Sequence, residues 1–194
     1  SDGGPPTVAV ASDRPVAPAS TDQEGAALFA ACASCHMADG SGRADGSVPR
    51  LAGQREAIVV AKLDRLRRGE VYLPLMIPFA RALTDADVHK IARYVAALPE
   101  PPTASTGGQG ADLYAATCAA CHGRSAEGDD ARLAPRLCGQ QAPYVLRRMQ
   151  ETIDDRRGDA DPAMAAIVSS LDEAQRATIA AWLAAGSCAP EAGS

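Results

Sequence analysis

Large side chains are scarce in this chain. Aromatic residues make up 4% of it, with one Trp, four Tyr and two Phe among 194 residues. A core so poor in bulk needs something else to fill it. Lysine is nearly absent as well, occurring only at 62 and 90, so the basic charge is almost all arginine. No run of like charge is present, which removes a nucleic-acid patch and a charged interaction tail. The balance is mildly acidic, with a formal net charge of -5. No apolar stretch approaches the ~18 residues of a membrane span, so no transmembrane segment is expected in this chain. The chain opens Ser1-Asp2-Gly3-Gly4 rather than with a charged segment and an apolar run, so no signal peptide is visible in it, and it reads as a mature or a recombinant form from which an export signal or anchor could have been removed. No run of β alternation appears either. The length leaves room for one large domain or for two of under a hundred residues. A domain that small buries only ~60% of its unfolded surface and gains from added support.

What is present is a repeat. Cys32-Ala33-Ser34-Cys35-His36 returns 86 positions later as Cys118-Ala119-Ala120-Cys121-His122. Pro49-Arg50-Leu51-Ala52-Gly53-Gln54 returns as Pro135-Arg136-Leu137-Cys138-Gly139-Gln140 at the same offset. Met76, Leu83 and Ile91-Ala92-Arg93-Tyr94 return 88 later as Met164, Leu171 and Ile179-Ala180-Ala181-Trp182. Landmarks kept in order at nearly constant offset imply two copies of one domain. We place a Pro/Ala-rich, flexible lead at 1–19, a first domain at 20–98, a linker at 99–108 and a second domain at 109–194.

Each copy reads as helical. Thr21-Asp22-Gln23-Glu24 has the form of a capping box opening a helix toward Cys32. A second helix is expected over Glu56 to Arg68, stopped by Gly69. A third opens at Thr84, presents Val88, Ile91, Ala92, Val95 and Leu98 on one face, and ends at Pro99. In the second copy Pro143 suits a helix start, Asp172 caps the last helix and Gly186 sits at its end. Gly25 and Gly110 would let the first helix of each copy cross close to Tyr94 or Trp182 on the last.

The doubled CxxCH carries the chemistry. Two thiols three positions apart can each form a thioether to one haem vinyl-derived carbon, and the adjacent His then lies under the iron. A zinc ribbon would want its CxxC pairs closer together, and a thioredoxin-like pair would sit in a βαβ setting. Cys32, Cys35, His36, Cys118, Cys121 and His122 are therefore the expected attachment and proximal-ligand residues of two covalently bound haem c groups. Met76 and Met164 are the expected sixth ligands, because they recur at one place in both copies. Met37 lies too close to its own motif, and Met149 is matched by Leu63. His89 reads as an exposed side chain.

Pro49 and Pro135 each follow the ligand His by 13 positions, so a carbonyl in that turn could hold the His Nδ1–H. Arg50 and Arg136 are equally readable as partners of haem propionates or as solvated charges. Cys138 and Cys188 remain after haem attachment and are expected to form a disulfide, two free thiols being the alternative.

With CASCH and CAACH, PRLAGQ and PRLCGQ, and the Met-to-Leu segments in this order, residues 21 to 186 resemble the cytochrome c4 family. The resemblance implies an all-α fold of two tandem class-I cytochrome c domains related by a pseudo-twofold axis, each a small helical fold around one haem. It implies His/Met ligation, a bacterial periplasmic location that is soluble or loosely membrane-associated, and electron transfer. A dehydrogenase or a cytochrome bc1 complex would be the donor and a terminal oxidase the acceptor. Two alternatives are a cytochrome subunit of a larger dehydrogenase and a dihaem enzyme such as a peroxidase or thiosulfate-oxidising enzyme. The second needs an open iron position, which Met at both sixth positions would close. The lead, Cys138 and Cys188 depart from the family's shared pattern.

Overall fold

The structure, a computed structural model, describes residues 20–100 and 107–186. The lead at 1–19, Pro101 to Thr106 of the linker and Cys188 lie outside the described residues. In the first half the helices are α1 (Ser20–His36), α2 (Glu56–Arg67), α3 (Ile77–Arg81) and α4 (Asp85–Ala97). In the second half they are α5 (Gln109–Thr117), α6 (Ala119–His122), α7 (Ala142–Ile153), α8 (Pro162–Ser170) and α9 (Glu173–Ala184). No strand occurs among the described residues beyond an isolated bridge between Asp129 and Ala134.

The helix ends follow local chemistry. Thr84 and Asp172 each close a capping box, with Asp87 and Gln175 returning the bond to the cap backbone. Pro143 falls in the first turn of α7. Gly69 and Gly186 take φ of +73° and +67° just past α2 and α9, the left-handed conformation that ends a helix and that glycine adopts without a Cβ clash. Two short helices, α3 and α8, are additions to the expected set, and Pro78 and Pro162 each stand in their first turn.

α1 packs on α4 in the first domain and α5 on α9 in the second. The crossings are tight because of two glycines. A Cβ on Gly25 would lie 2.7 Å from Tyr94 Cβ and 2.8 Å from Lys90 O. One on Gly110 would lie 2.5 Å from Trp182 Cβ and 3.0 Å from Thr178 O. Beside each crossing an aromatic pair stacks at a tilt, Phe29 with Tyr94 at 5.4 Å and Tyr114 with Trp182 at 4.9 Å between centroids. The few aromatic residues are thus spent largely where the first and last helices meet. The two halves hold separate apolar clusters. Phe29, Val59, Ile91, Ala92 and Val95 fill one, and Tyr114, Val145, Met149, Ile179 and Leu183 fill much of the other.

The copies differ at the haem motif. α1 runs unbroken through CASCH, whereas its counterpart stops at Thr117 and restarts at Ala119. Thr117, where the first copy has Ala31, turns its hydroxyl onto Leu113 O at 2.6 Å, and Cys118 takes φ -112° at the break.

The domains meet through reciprocal contacts. Gln140 donates to Arg50 O and accepts from Arg50 N, and Gln54 does the same to Arg136 O and N. Gln141 Nε2 donates to Ser41 O, and Arg55 to Glu127 O. Each residue in these pairs has its counterpart 86 positions along, so the interface is isologous in the manner of a twofold axis. Two ionic contacts break that symmetry. Arg55 grips Asp130 with two hydrogen bonds of 2.6 and 2.8 Å. Asp159, with only 4% of its side chain exposed, accepts from Lys62 at 2.8 Å and from Arg148 at 3.2 Å. Burial pushes the Asp159 carboxyl up, but the Lys62 hydrogen bond and the two cations outweigh it and hold its pKa below the ordinary value.

Candidate haem sites

Both motif histidines are buried, His36 at 5% exposure and His122 at 7%. His36 Nδ1 lies 3.0 Å from Pro49 O, and His122 Nδ1 lies 2.9 Å from Pro135 O. A carbonyl can only accept, so Nδ1 carries the proton and Nε2 is left with its lone pair. Burial lowers both imidazole pKa values more than the carbonyl bonds raise them, which favours the neutral ring a metal ligand must be. The prolines therefore sit where the spacing placed them, fixing tautomer and ring orientation in each domain.

The loop between His and Pro has one architecture in both copies. Gly42 N donates to His36 O and Gly128 N to His122 O. Leu51 and Ala52 N converge on Gly40 O, as Leu137 and Cys138 N do on Ala126 O. In the second domain Tyr114 adds a hydrogen bond from its hydroxyl to Gly123 O at 2.7 Å. Burial drives that phenol's pKa far above its ordinary value.

The four motif cysteines are free thiols. Cys118 is buried and Cys32 half-buried, while Cys35 and Cys121 are exposed. Burial pushes the Cys32 and Cys118 thiols up. Among the described residues no group of three His, Cys, Asp or Glu is placed to hold a metal ion, so a zinc reading of the CxxC pairs lacks further ligands. Cys138 is buried and disulfide-bonded. Its expected partner, Cys188, lies outside the described residues.

Met76 is the N-cap of α3, half-buried beside Leu66, Val71 and Ala80. Met164 lies in the first turn of α8, its N–H held by Asp161, and packs half-buried on the second cluster. Met149, in contrast, is 5% exposed within that cluster. His89 is an exposed side chain, as expected.

The two arginines are neither solvated charges nor equivalent. Arg50 Nε donates across the interface to Gly139 O at 3.0 Å. Arg136, 12% exposed, pairs with Glu100 at 2.9 Å, and its Nε is buried with no acceptor. A buried guanidinium N–H without a partner is costly, and a propionate carboxylate is the kind of acceptor that would satisfy it. With the neutral, oriented imidazoles and the free thiol pairs, the residues present fit a haem in each domain. The spacing argument missed Gln54 and Gln140. Their signal was available, since an identical Gln ends both PRLAGQ and PRLCGQ without any haem role inside its own copy.

A family model described as cytochrome c matches residues 23–99, and one described as cytochrome C oxidase, cbb3-type, subunit III matches residues 106–183. A protein of Stutzerimonas stutzeri named thiosulfate dehydrogenase electron acceptor is 32% identical over 79% of this chain and 78% of its own length. Cytochrome c4 of Pseudomonas aeruginosa is 29% identical over 82% of this chain and 85% of its own length. The crystal structure of reduced recombinant cytochrome c4 from Pseudomonas stutzeri superposes with a TM-score of 0.75 at 22% identity, covering 84% of this chain and 97% of that one.

Proposed function

This chain belongs to the cytochrome c4 family of dihaem class-I cytochromes, and from that premise we propose that it relays single electrons between a dehydrogenase and a terminal oxidase through two His/Met haems. The observation that carries the site assignment is the His Nδ1–carbonyl contact made twice, at Pro49 and at Pro135, each beside a free CxxC pair. Each bound haem supplies an iron that takes up and returns one electron. Cys32 and Cys35, and Cys118 and Cys121, would hold it covalently. His36 and His122 would ligate its iron through Nε2, Met76 and Met164 would complete the ligand set, and Arg50 and Arg136 would be the partners of its propionates, Arg136 through the Nε that finds no acceptor. No helix among the described residues is long and apolar enough to cross a membrane. We place the protein in the bacterial periplasm, where haem of this type is attached, soluble or loosely associated with the membrane.

The relative named as an electron acceptor of thiosulfate dehydrogenase favours a dehydrogenase over a cytochrome bc1 complex as the donor. It also supports the second reading, a cytochrome subunit that stays with its dehydrogenase, which purification of the tagged chain from native cells would separate from a free carrier. A dihaem peroxidase or thiosulfate-oxidising enzyme is disfavoured because thioether ligands would close both irons. The purified protein alone should turn over neither peroxide nor thiosulfate, and fast turnover of either would replace the carrier reading.

Attachment is tested directly. Acid–acetone extraction of the denatured chain should leave two haems on the polypeptide. Cys121→Ala should weaken retention in the second domain while the first keeps its haem.

The domains should differ in potential. Residues 20–100 carry ten acidic and ten basic side chains, whereas residues 101–194 carry twelve and eight. Negative surroundings stabilise the ferric state, so the second haem should have the lower potential, an effect moderated by salt screening. A redox titration with waves assigned by Met76→His and Met164→His checks this. Coincident waves would remove the charge argument.

A further inference from the structure

The peptide bond between Pro49 and Arg50 is used at both ends. Its carbonyl accepts from His36 Nδ1 at 3.0 Å, and its N–H donates to Gln140 Oε1 at 3.0 Å. Gln140 belongs to the other domain. The Pro135–Arg136 peptide repeats the arrangement in mirror fashion. Its carbonyl accepts from His122 Nδ1 at 2.9 Å, and its N–H donates to Gln54 Oε1 of the first domain at 2.9 Å.

We propose that Gln54 and Gln140 are cross-domain positioning residues, each tuning the haem potential of the opposite domain through the one peptide group that holds its proximal histidine. The inference rests on the reading of His36 and His122 as haem ligands.

The physical basis is polarisation along a hydrogen-bonded chain. A peptide whose N–H is donated has a more electron-rich carbonyl. That carbonyl draws the imidazole Nδ1–H more strongly and makes the ring a more basic ligand. A more basic ligand stabilises ferric iron and lowers the potential. The glutamine geometry suits this task. Gln54 Oε1 also accepts from Arg55 N at 3.1 Å, and Gln54 Nε2 donates to Arg136 O at 3.1 Å. Gln140 likewise accepts from Gln141 N at 3.2 Å and donates to Arg50 O at 3.1 Å. Each amide is thereby locked at both ends. A carboxylate could not donate the second bond, and an apolar side chain could make neither.

The two arms are unequal. Arg50 N–H has a reserve acceptor, Gln141 Oε1 at 3.2 Å. Among the described residues Arg136 N–H has Gln54 Oε1 as its one acceptor. Loss of Gln54 should therefore be felt more at the second haem than loss of Gln140 at the first.

The test is a domain-resolved redox titration of the full-length holoprotein. Gln54→Leu should raise the potential of the haem on His122, changing its ferric/ferrous equilibrium about three- to tenfold, or ~30–60 mV at 59 mV per tenfold for one electron. Gln140→Leu should raise that of the haem on His36 by less. The opposite wave should move little in each case. Lys62→Met, which loosens the interface without touching either peptide, should shift neither wave selectively. Equal movement of both waves in both glutamine variants, or movement of the variant's own domain, would overturn the proposal and leave the glutamines as interface contacts. If a variant does not fold, the wild-type ferrous protein still decides. Slow hydrogen exchange at both the Arg50 and Arg136 amides supports the link, and exchange at the rate of open amides overturns it. Failure of the haem reading would look different, as missing low-spin absorbance in the wild type itself.

Discussion

Met76→Ala is expected to remove about half of the near-infrared band of sulfur-ligated ferric haem, and Met164→Ala the other half, as the proposed ligation of one thioether to each of two equal chromophores requires. The other methionines cannot substitute. Met37 follows its histidine directly and is held at φ +66°, and Met149 is sealed in the second cluster. Without its soft ligand each iron would also lose the preference for the ferrous state that Met confers. A fall on the order of 0.2 V is reasonable within the ~0.8 V that axial ligands span. The emptied position would admit peroxide, so each variant should gain a turnover the wild type lacks. Magnetic circular dichroism and a peroxide assay on the two variants read these effects. Full band intensity in either one would show that its methionine is packing rather than ligand.

Gly110→Ala should destabilise the second domain by about 3 kcal/mol, the upper end of ordinary overpacking. In an exposed helix the same change would help by ~1 kcal/mol, since alanine is the better helix former, so the sign alone is diagnostic. The crossing decides it. The new methyl would meet Trp182 Cβ at 2.5 Å and Thr178 O at 3.0 Å, neither of which is a flexible tip that can swing away. At ~4–8 °C per kcal/mol for a domain of this size, the melting point should fall by roughly 12–24 °C. Gly25→Ala should do the same to the first domain, somewhat less severely, because its nearest contact is 2.7 Å. Thermal unfolding followed through each haem's absorbance would separate the two. A stabilised Gly110→Ala variant would mean that α5 and α9 do not approach as closely as described.

Much of this was legible from residues alone. CxxCH fixed the cofactor because its chemistry demands that spacing, and Thr84, Asp172 and Gly69 marked helix ends through strictly local capping. Gly25 and Gly110 pointed to a crossing because each stands four positions before an aromatic, Phe29 or Tyr114, in its own copy. The short helices α3 and α8 were not legible, since five and nine residues carry too little periodicity to register. Nor was the fate of Arg50. A motif repeated at constant offset shows that a turn is kept, but not whether it faces a cofactor or its own copy. Arg50 N–H and Nε both reach the second domain, to Gln140 and Gly139, and such long-range pairing has no local signature.

Asp159 has no twin. It falls in the stretch between Arg156 and Met164, where the repeat offset grows from 86 to 88. Lys62 and Arg148 stand at equivalent places in the two copies and share this single carboxylate. Two first halves joined by the same face would oppose two ammonium groups with no anion between them. In two second halves each Asp159 would keep Arg148 of its own half as its partner, and there would be no lysine to share. In the unlike pairing the one carboxylate answers both cations. One added acid thus serves a cation from each half at their seam, and turns a duplicated domain into a matched left and right.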